Sequence, residues 1–283
     1  MGSRVRRKGM VAVLCAGIIL CGCSCGTVKD DVSTEDAATY EIFTVTRKDQ
    51  QTDAADAREI DLNTCGETLT ITEGGEYFLH GSMEGQILIE ADEDELVHLY
   101  LAGVDIASLK GPAVSAASAS KLIVTLVSDT ENTLSDAPDY TGYEDMKGCL
   151  YSAADLTING EGVLAVYGYH EDGIRSKDRV KIVDGHIEVQ AKGDGIRGND
   201  GIAVKQGNVQ IQSEGNGLRT VNHSVSPRGV VEISGGTINI TAGRNGISAA
   251  SDLYIHNCSC AVYSVEETLQ AEGTKYIDEG CVE

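Results

Sequence analysis

Apolar positions between residues 148 and 264 recur with two superposed periods. Within short segments they alternate, as in Leu156/Ile158, Val180/Ile182, Ile202/Val204, Val231/Ile233 and Leu253/Ile255. Strict alternation is the mark of a strand with one buried face. Over a longer span the segments themselves repeat. Leu150, Ile174, Ile196, Leu218 and Ile247 open successive units; Gly173, Gly195 and Gly217 stand 22 residues apart, and the 29-residue step to Gly246 carries its surplus in 222–228. Glycine turns at Gly162, Gly185, Gly207 and Gly236 then lead into a third alternating set, Leu164/Val166, Ile187/Val189, Val209/Ile211 and Ile238/Ile240. Three short strands per unit cannot bury their inward side chains alone. Stacking units about 4.8 Å apart turns those side chains into continuous columns. The pattern therefore predicts an all-β fold: a right-handed, single-stranded parallel β-helix with coils of about 22 residues. A sandwich would not repeat the same inward positions at this period, and a leucine-rich repeat would carry a fixed Asn and Leu framework that is absent. Segments around Gly85–Ile89 and Gly111–Val114 read as less regular N-terminal coils.

The N-terminus departs from this pattern. Arg4, Arg6, Arg7 and Lys8 precede an apolar run from Met10 to Leu20, the layout of a secretory signal and too short for a comfortable membrane span. Leu20-Cys21-Gly22-Cys23 matches a lipobox, which makes residues 1–22 the signal peptide and Cys23 the lipidated N-terminus of an exported, membrane-anchored protein. Residues 23–57 are polar and acidic with no sustained apolar period and are assigned to a flexible tether; residues 58–283 form the β-helix domain.

Charge narrows the partners. The whole chain carries a formal charge of −22, and loss of residues 1–22 removes four basic residues and leaves −26. Nucleic acid and anionic lipid surfaces are poor partners for such a chain, and membrane contact is expected through the lipid anchor only. Abundant carboxylates outside a cell also raise divalent cations, calcium above all, as ligands. Six cysteines besides Cys23 remain beyond the signal, with no zinc-site spacing and no pairing that the sequence dictates.

A repeat converts scattered residues into ladders. Asp172, Asp194, Asn216 and Asn245 precede the unit-opening residues. They read either as oxygen ligands for calcium or as Asp/Asn-Gly turn chemistry. Asp178 and Asp200 form a second acidic ladder at the next corner; six residues separate Asp172 from Asp178, up to about 20 Å of extended chain, which favours separate sites. Tyr151, Arg175, Arg197 and Arg219 form an outward stripe that suits an anionic glycan or the flanking carboxylates. Lys177 follows the first arginine and is the candidate base of a β-elimination. The six histidines share no column.

Several strings in order resemble a known family: Thr130-Glu-Asn-Thr-Leu-Ser-Asp136, Leu150-Tyr-Ser, Asp155-Leu-Thr-Ile-Asn-Gly160, Asp172-Gly-Ile-Arg-Ser-Lys-Asp178 and Gly193-Asp-Gly-Ile-Arg-Gly198. Over roughly residues 60–265 the chain resembles exported bacterial carbohydrate-binding β-helix proteins, which are similar in fold to the calcium-dependent pectate lyases of polysaccharide lyase family nine. The resemblance implies binding of cellulose-like and polygalacturonate chains with bound calcium and no established lyase activity. Asp172, Asp178, Asp194 and Asp200 match the family's acidic positions, but Arg179 and Gly201 replace a second Asp in two coils. The chain has no Trp, so Tyr151, Tyr167 and Tyr169 are its aromatic platforms.

Three functions follow. The first is a non-catalytic cell-surface binder of acidic or cellulosic polysaccharide assisted by calcium, using Tyr151, Arg175, Lys177, Arg197 and Arg219 for the glycan and Asp172, Asp178, Asp194, Asp200 and Asn216 for the cation. The second is a calcium-dependent lyase with Lys177 as base. The third is a structural or adhesive solenoid without glycan binding.

Overall fold

The structure, a computed structural model, describes residues 42–224 and 227–283. The signal segment, Cys23 and the first part of the expected tether lie outside the described residues. Apart from two short 3-10 turns, all regular structure among the described residues is strand, joined by turns and loops, and every strand pairing is parallel. The fold is thus all-β and solenoid-like, with long parallel sheets.

The strands line three faces. The first is a nine-stranded sheet that includes Gly148–Ser152, Asp172–Ser176, Ile196–Gly198, Leu218–Arg219, Ile247–Ala249 and Leu269–Ala271. The second runs from Lys121–Leu126 through Asp155–Gly160, Arg179–Ile182, Gly201–Val204, Val230–Ile233 and Leu253–Ile255 to Lys275–Ile277. The third holds Glu131–Ser135, Val163–Gly168, His186–Ala191, Asn208–Ser213, Thr237–Ala242 and Ser259–Ser264. The second and third faces are one sheet, because the strand Leu96–Ala107 serves both. Its first half pairs with Lys121–Leu126, and Asp105–Ala107 pairs with Glu131–Ser135. Gly103 lies between the halves with φ of +78°, a backbone that lets the strand turn the corner.

Register carries the sequence repeat into space. Ile174 pairs with Ile196, Ile196 with Leu218 and Leu218 with Ile247. The longer step from Leu218 to Ile247 leaves their pairing in register. Leu164, Ile187, Val209 and Ile238 line up the same way on the third face. All of these side chains are fully buried. At about 1.5–3 kcal/mol per buried aliphatic side chain, such columns supply most of the drive for stacking.

The repeated glycine has a steric cause. A Cβ at Gly173, Gly195, Gly217 or Gly246 would stand 2.2–2.3 Å from a methyl of Val189, Ile211, Ile240 or Val262 and within 3 Å of a carbonyl of the next rung. None of these glycines has positive φ, and neither do the Asp and Asn before them. Space between the first and third faces selects glycine here, rather than a left-handed turn.

The second face is covered from outside. Phe43 packs on Ala203, Val230 and Tyr254, and its N–H donates to Glu232 Oε2 at 2.8 Å. Asp49 is completely buried, in ion pairs with Lys121 and with Lys181, and accepts from Thr157 Oγ1 at 2.7 Å. Burial alone would raise the Asp49 carboxyl; the Lys121 ammonium and the hydroxyl and N–H groups of Thr46 and Thr157 hold it well below the usual range instead. Gln51 and Asp53 continue this strap to Tyr100. Part of the stretch assigned to a tether is therefore a docked cover, because its few apolar and acidic residues meet a matching outward column of the sheet.

Candidate functional site

The first face presents the arginine stripe as a true column. Arg175 pairs in register with Tyr151 on one side and Arg197 on the other, and Arg197 with Arg219. Beside it runs the Asp/Asn ladder, and the two are coupled. Arg175 Nη1 donates to Asp172 Oδ2 at 3.0 Å, Arg219 Nη1 to Asp194 Oδ2 at 3.3 Å, and Arg197 Nη1 lies 3.8 Å from the same oxygen. The guanidiniums become more accessible along the column, with side-chain exposures of 11, 21 and 35%. Burial, then the flanking guanidiniums of Arg175 and Arg219, pull Arg197 below its ordinary value against the opposing carboxylates. Three guanidiniums thus share the two carboxylates of Asp172 and Asp194.

The ladder itself is closed by hydrogen bonds. Asp172 Oδ1 accepts the Asp194 N–H at 2.9 Å; Asp194 Oδ1 accepts both the N–H (2.9 Å) and the side-chain amide (2.7 Å) of Asn216; Asn216 Oδ1 accepts from Asn245. All four residues are buried. Each side chain thus satisfies a backbone donor of the next rung that the sheet leaves over at this corner. Burial and the neighbouring Asp194 carboxylate push the Asp172 carboxyl up to about 6, with the Asp194 N–H, Arg175 and Arg197 opposing.

Asp178 and Asp200 come together elsewhere, at the corner between the first and second faces. With Asp155, Arg179, Arg228 and Phe43 they line a groove of about 380 Å³. Arg179, the departure from the family pattern, forms a fork with Asp155: Nε to Oδ1 at 3.0 Å and Nη2 to Oδ2 at 2.5 Å. Asp200 accepts from Asn222 Nδ2 at 2.6 Å and lies 3.5 Å from Arg228 Nε. The Asp178 carboxylate has no such partner among the described residues, and its carboxyl is raised by burial and by Asp155 and Asp200. Among the described residues, no group of three or more His, Cys, Asp or Glu side chains is placed to hold a metal ion.

The predicted site residues thus divide. Arg175, Arg197, Arg219, Asp172, Asp194 and Asn216 are assembled on the first face; Asp178 and Asp200 belong to the corner. Lys177 is exposed and lines neither groove. Tyr151, read as a platform, is 2% exposed and offers no ring face; alternation gave its direction but not what lies over it. Tyr169 is 49% exposed and stacks near-parallel to Tyr167 at 6.2 Å. Beyond Arg219 the first face opens into a groove of about 350 Å³ lined among others by His223, Arg244, Ser248, Gln270 and Glu272. Sequence reasoning passed over these. Only the extension of the arginine column to Ser248 and Gln270 would have pointed to them.

Known proteins agree with this architecture. Residues 65–280 match the family model described as carbohydrate-binding domain-containing protein. A protein of that description from Acetivibrio thermocellus is 36% identical over 287 residues, covering 98% of both chains. A solved structure, the polysaccharide lyase-like protein from C. thermocellum as a gadolinium derivative, superposes with a TM-score of 0.76 at 30% identity, covering 79% of this chain and 97% of that one. The chain belongs to the carbohydrate-binding domain-containing protein family.

Proposed function

We propose that this protein is a non-catalytic polysaccharide binder, anchored at the cell surface through Cys23, that grips an acidic chain of the polygalacturonate type along the first face of a right-handed parallel β-helix. The observation that carries this reading is the in-register column Arg175, Arg197, Arg219, which leads into the groove beyond Arg219. A polymer with one carboxylate per sugar meets a guanidinium column as fork to fork. Arg219, the most accessible of the three, is the principal contact. Family membership supports a carbohydrate ligand.

Calcium is proposed as an assistant at the corner rather than in the ladder. The ladder oxygens are occupied by N–H donors and arginines, whereas the Asp178 carboxylate has no hydrogen-bond or ion-pair partner among the described residues and stands near Asp155 and Asp200. Calcium takes six to eight oxygens, so glycan carboxylates and water would complete the few that Asp178 and Asp200 supply.

The test is retention of the full chain on insoluble polygalacturonate with calcium and with chelator. Retention that falls about tenfold in Arg219→Ala is the expected result. Equal retention of wild type and variant removes the stripe from the binding site, and no retention at all removes the acidic glycan. Formation of unsaturated, ultraviolet-absorbing product would instead establish a lyase and direct attention to Lys177.

A further inference from the structure

The outward side chains of the three faces meet different fates. On the first face, guanidiniums and carboxylates pair with one another. On the second, the strap from Phe43 to Asp53 covers them. On the third they are left open. There Tyr167, Gln190, Gln212, Thr241 and Tyr263 form one unbroken outward column in register. A parallel column places Gln210 and Asn239 between Glu188 and Ala261. Between the columns lies a shallow groove of about 260 Å³, floored by edges of Val189, Ile211 and Ile240.

We propose that this groove is a second glycan-binding surface, specific for an uncharged polysaccharide. Three properties point there. Gln190, Gln210, Gln212, Asn239 and Thr241 are exposed and make no side-chain hydrogen bond to any described residue. Amides and hydroxyls both donate and accept, as sugar hydroxyls do, so such a ladder can match a chain of them without leaving a charge to desolvate. Aromatic rings stand at both ends. Tyr263 is 70% exposed beside the small Ala261 in the groove itself, and half-buried Tyr167, with its stacked neighbour Tyr169, ends the column one rung beyond Gln190. Exposed tyrosine rings give the apolar C–H faces of pyranoses a surface to stack on while keeping a hydroxyl for the rim. The five rungs from Tyr167 to Tyr263 span about 19 Å, which accommodates several sugar units lying across the strands.

Charge selects among possible occupants. In a chain of formal charge −22, the lining of this groove carries one ionised group, Glu188, which lies 2.9 Å from His186 Nε2. Nothing basic lines it, so a uronate polymer or a nucleic acid finds no counter-charge, and an apolar protein surface would have to desolvate the amides without replacing their bonds. A neutral glycan meets neither penalty. This surface extends the polysaccharide reading but stands on residues separate from the arginine stripe, so either can fail alone.

The test is native affinity electrophoresis of the full chain in detergent, in gels cast with hydroxyethyl cellulose, arabinoxylan or galactomannan, and in parallel with polygalacturonate. Wild type is expected to be retarded by at least one neutral polymer. The double variant Tyr263→Ala/Gln212→Ala is expected to lose about tenfold in that affinity while keeping its polygalacturonate retention and thermal midpoint; Arg219→Ala is expected to do the reverse. No retardation by any of the neutral polymers overturns the proposal. So does neutral retardation that the double variant retains, or that disappears with Arg219→Ala.

Discussion

The first and third faces repeat an outward column at the same rung spacing and treat it in opposite ways. On the first, Arg175, Arg197 and Arg219 are charged yet largely spent on Asp172 and Asp194. On the third, Gln190, Gln212 and Thr241 are uncharged and spent on nothing. The difference lies in the corner. Before the first face the chain leaves a row of backbone N–H groups that need buried acceptors, and the Asp/Asn ladder provides them. Two buried carboxylates in that row then demand cations, which the arginines supply. Before the third face the corner N–H groups of His186, Asn208 and Thr237 donate to the backbone carbonyls of Gly162, Gly185 and Gly207 on the preceding rung, so no such demand arises. A structural requirement thus constrains one face and leaves the other free for recognition.

The contrast breaks first at Asp194. Its carboxylate serves Asn216, Arg219 and Arg197 from a site 5% exposed, so Asp194→Ala should cost about 3 kcal/mol in denaturant unfolding. A loss below about 1 kcal/mol would show the ladder to be dispensable.

A second, smaller effect is pH. Because the Asp172 carboxyl is raised to about 6 in the fold, the folded chain holds that proton where the unfolded chain has lost it. The contribution of this site to stability is therefore highest below about pH 4, falls as pH rises to about 6, and stays lost above. Protonation also releases Arg175 from its partner, so polygalacturonate retention should increase from pH 7 to pH 5 while neutral-glycan retention stays level. Asp172→Asn should flatten the acidic-glycan profile; an unchanged slope would separate Arg175 from binding.

The smallest effect belongs to the third face. Gln212→Ala removes an exposed side chain with no internal partner, and unfolding free energy should change by no more than about 0.5 kcal/mol. A larger loss would make the amide column a structural ladder after all.

Much of this was legible in the chain. The inward columns, the register of Arg175 with Arg197 and the adjacency of Asp172 to Asp194 all follow from a fixed repeat, because a parallel stack places equivalent residues side by side. The burial of Tyr151, the fork that Arg179 makes with Asp155, and the opening of the groove toward Arg244 and Gln270 were not, since each depends on segments distant in sequence. The strap is the clearest case. Phe43 and Asp49 sit in a polar stretch with no period, and nothing local announces that Lys121, Thr157 and Lys181 will form a socket for Asp49.

The amino-acid sequence by itself determined the all-β parallel stack and the membership of each outward column, because alternation and a constant period act between near neighbours and between equivalent positions. The tertiary structure alone decided which columns are paired, covered or open. Pairing, covering and exposure are set by where corners leave unsatisfied N–H groups and where a remote strap finds complementary charge, and neither is written in the repeat.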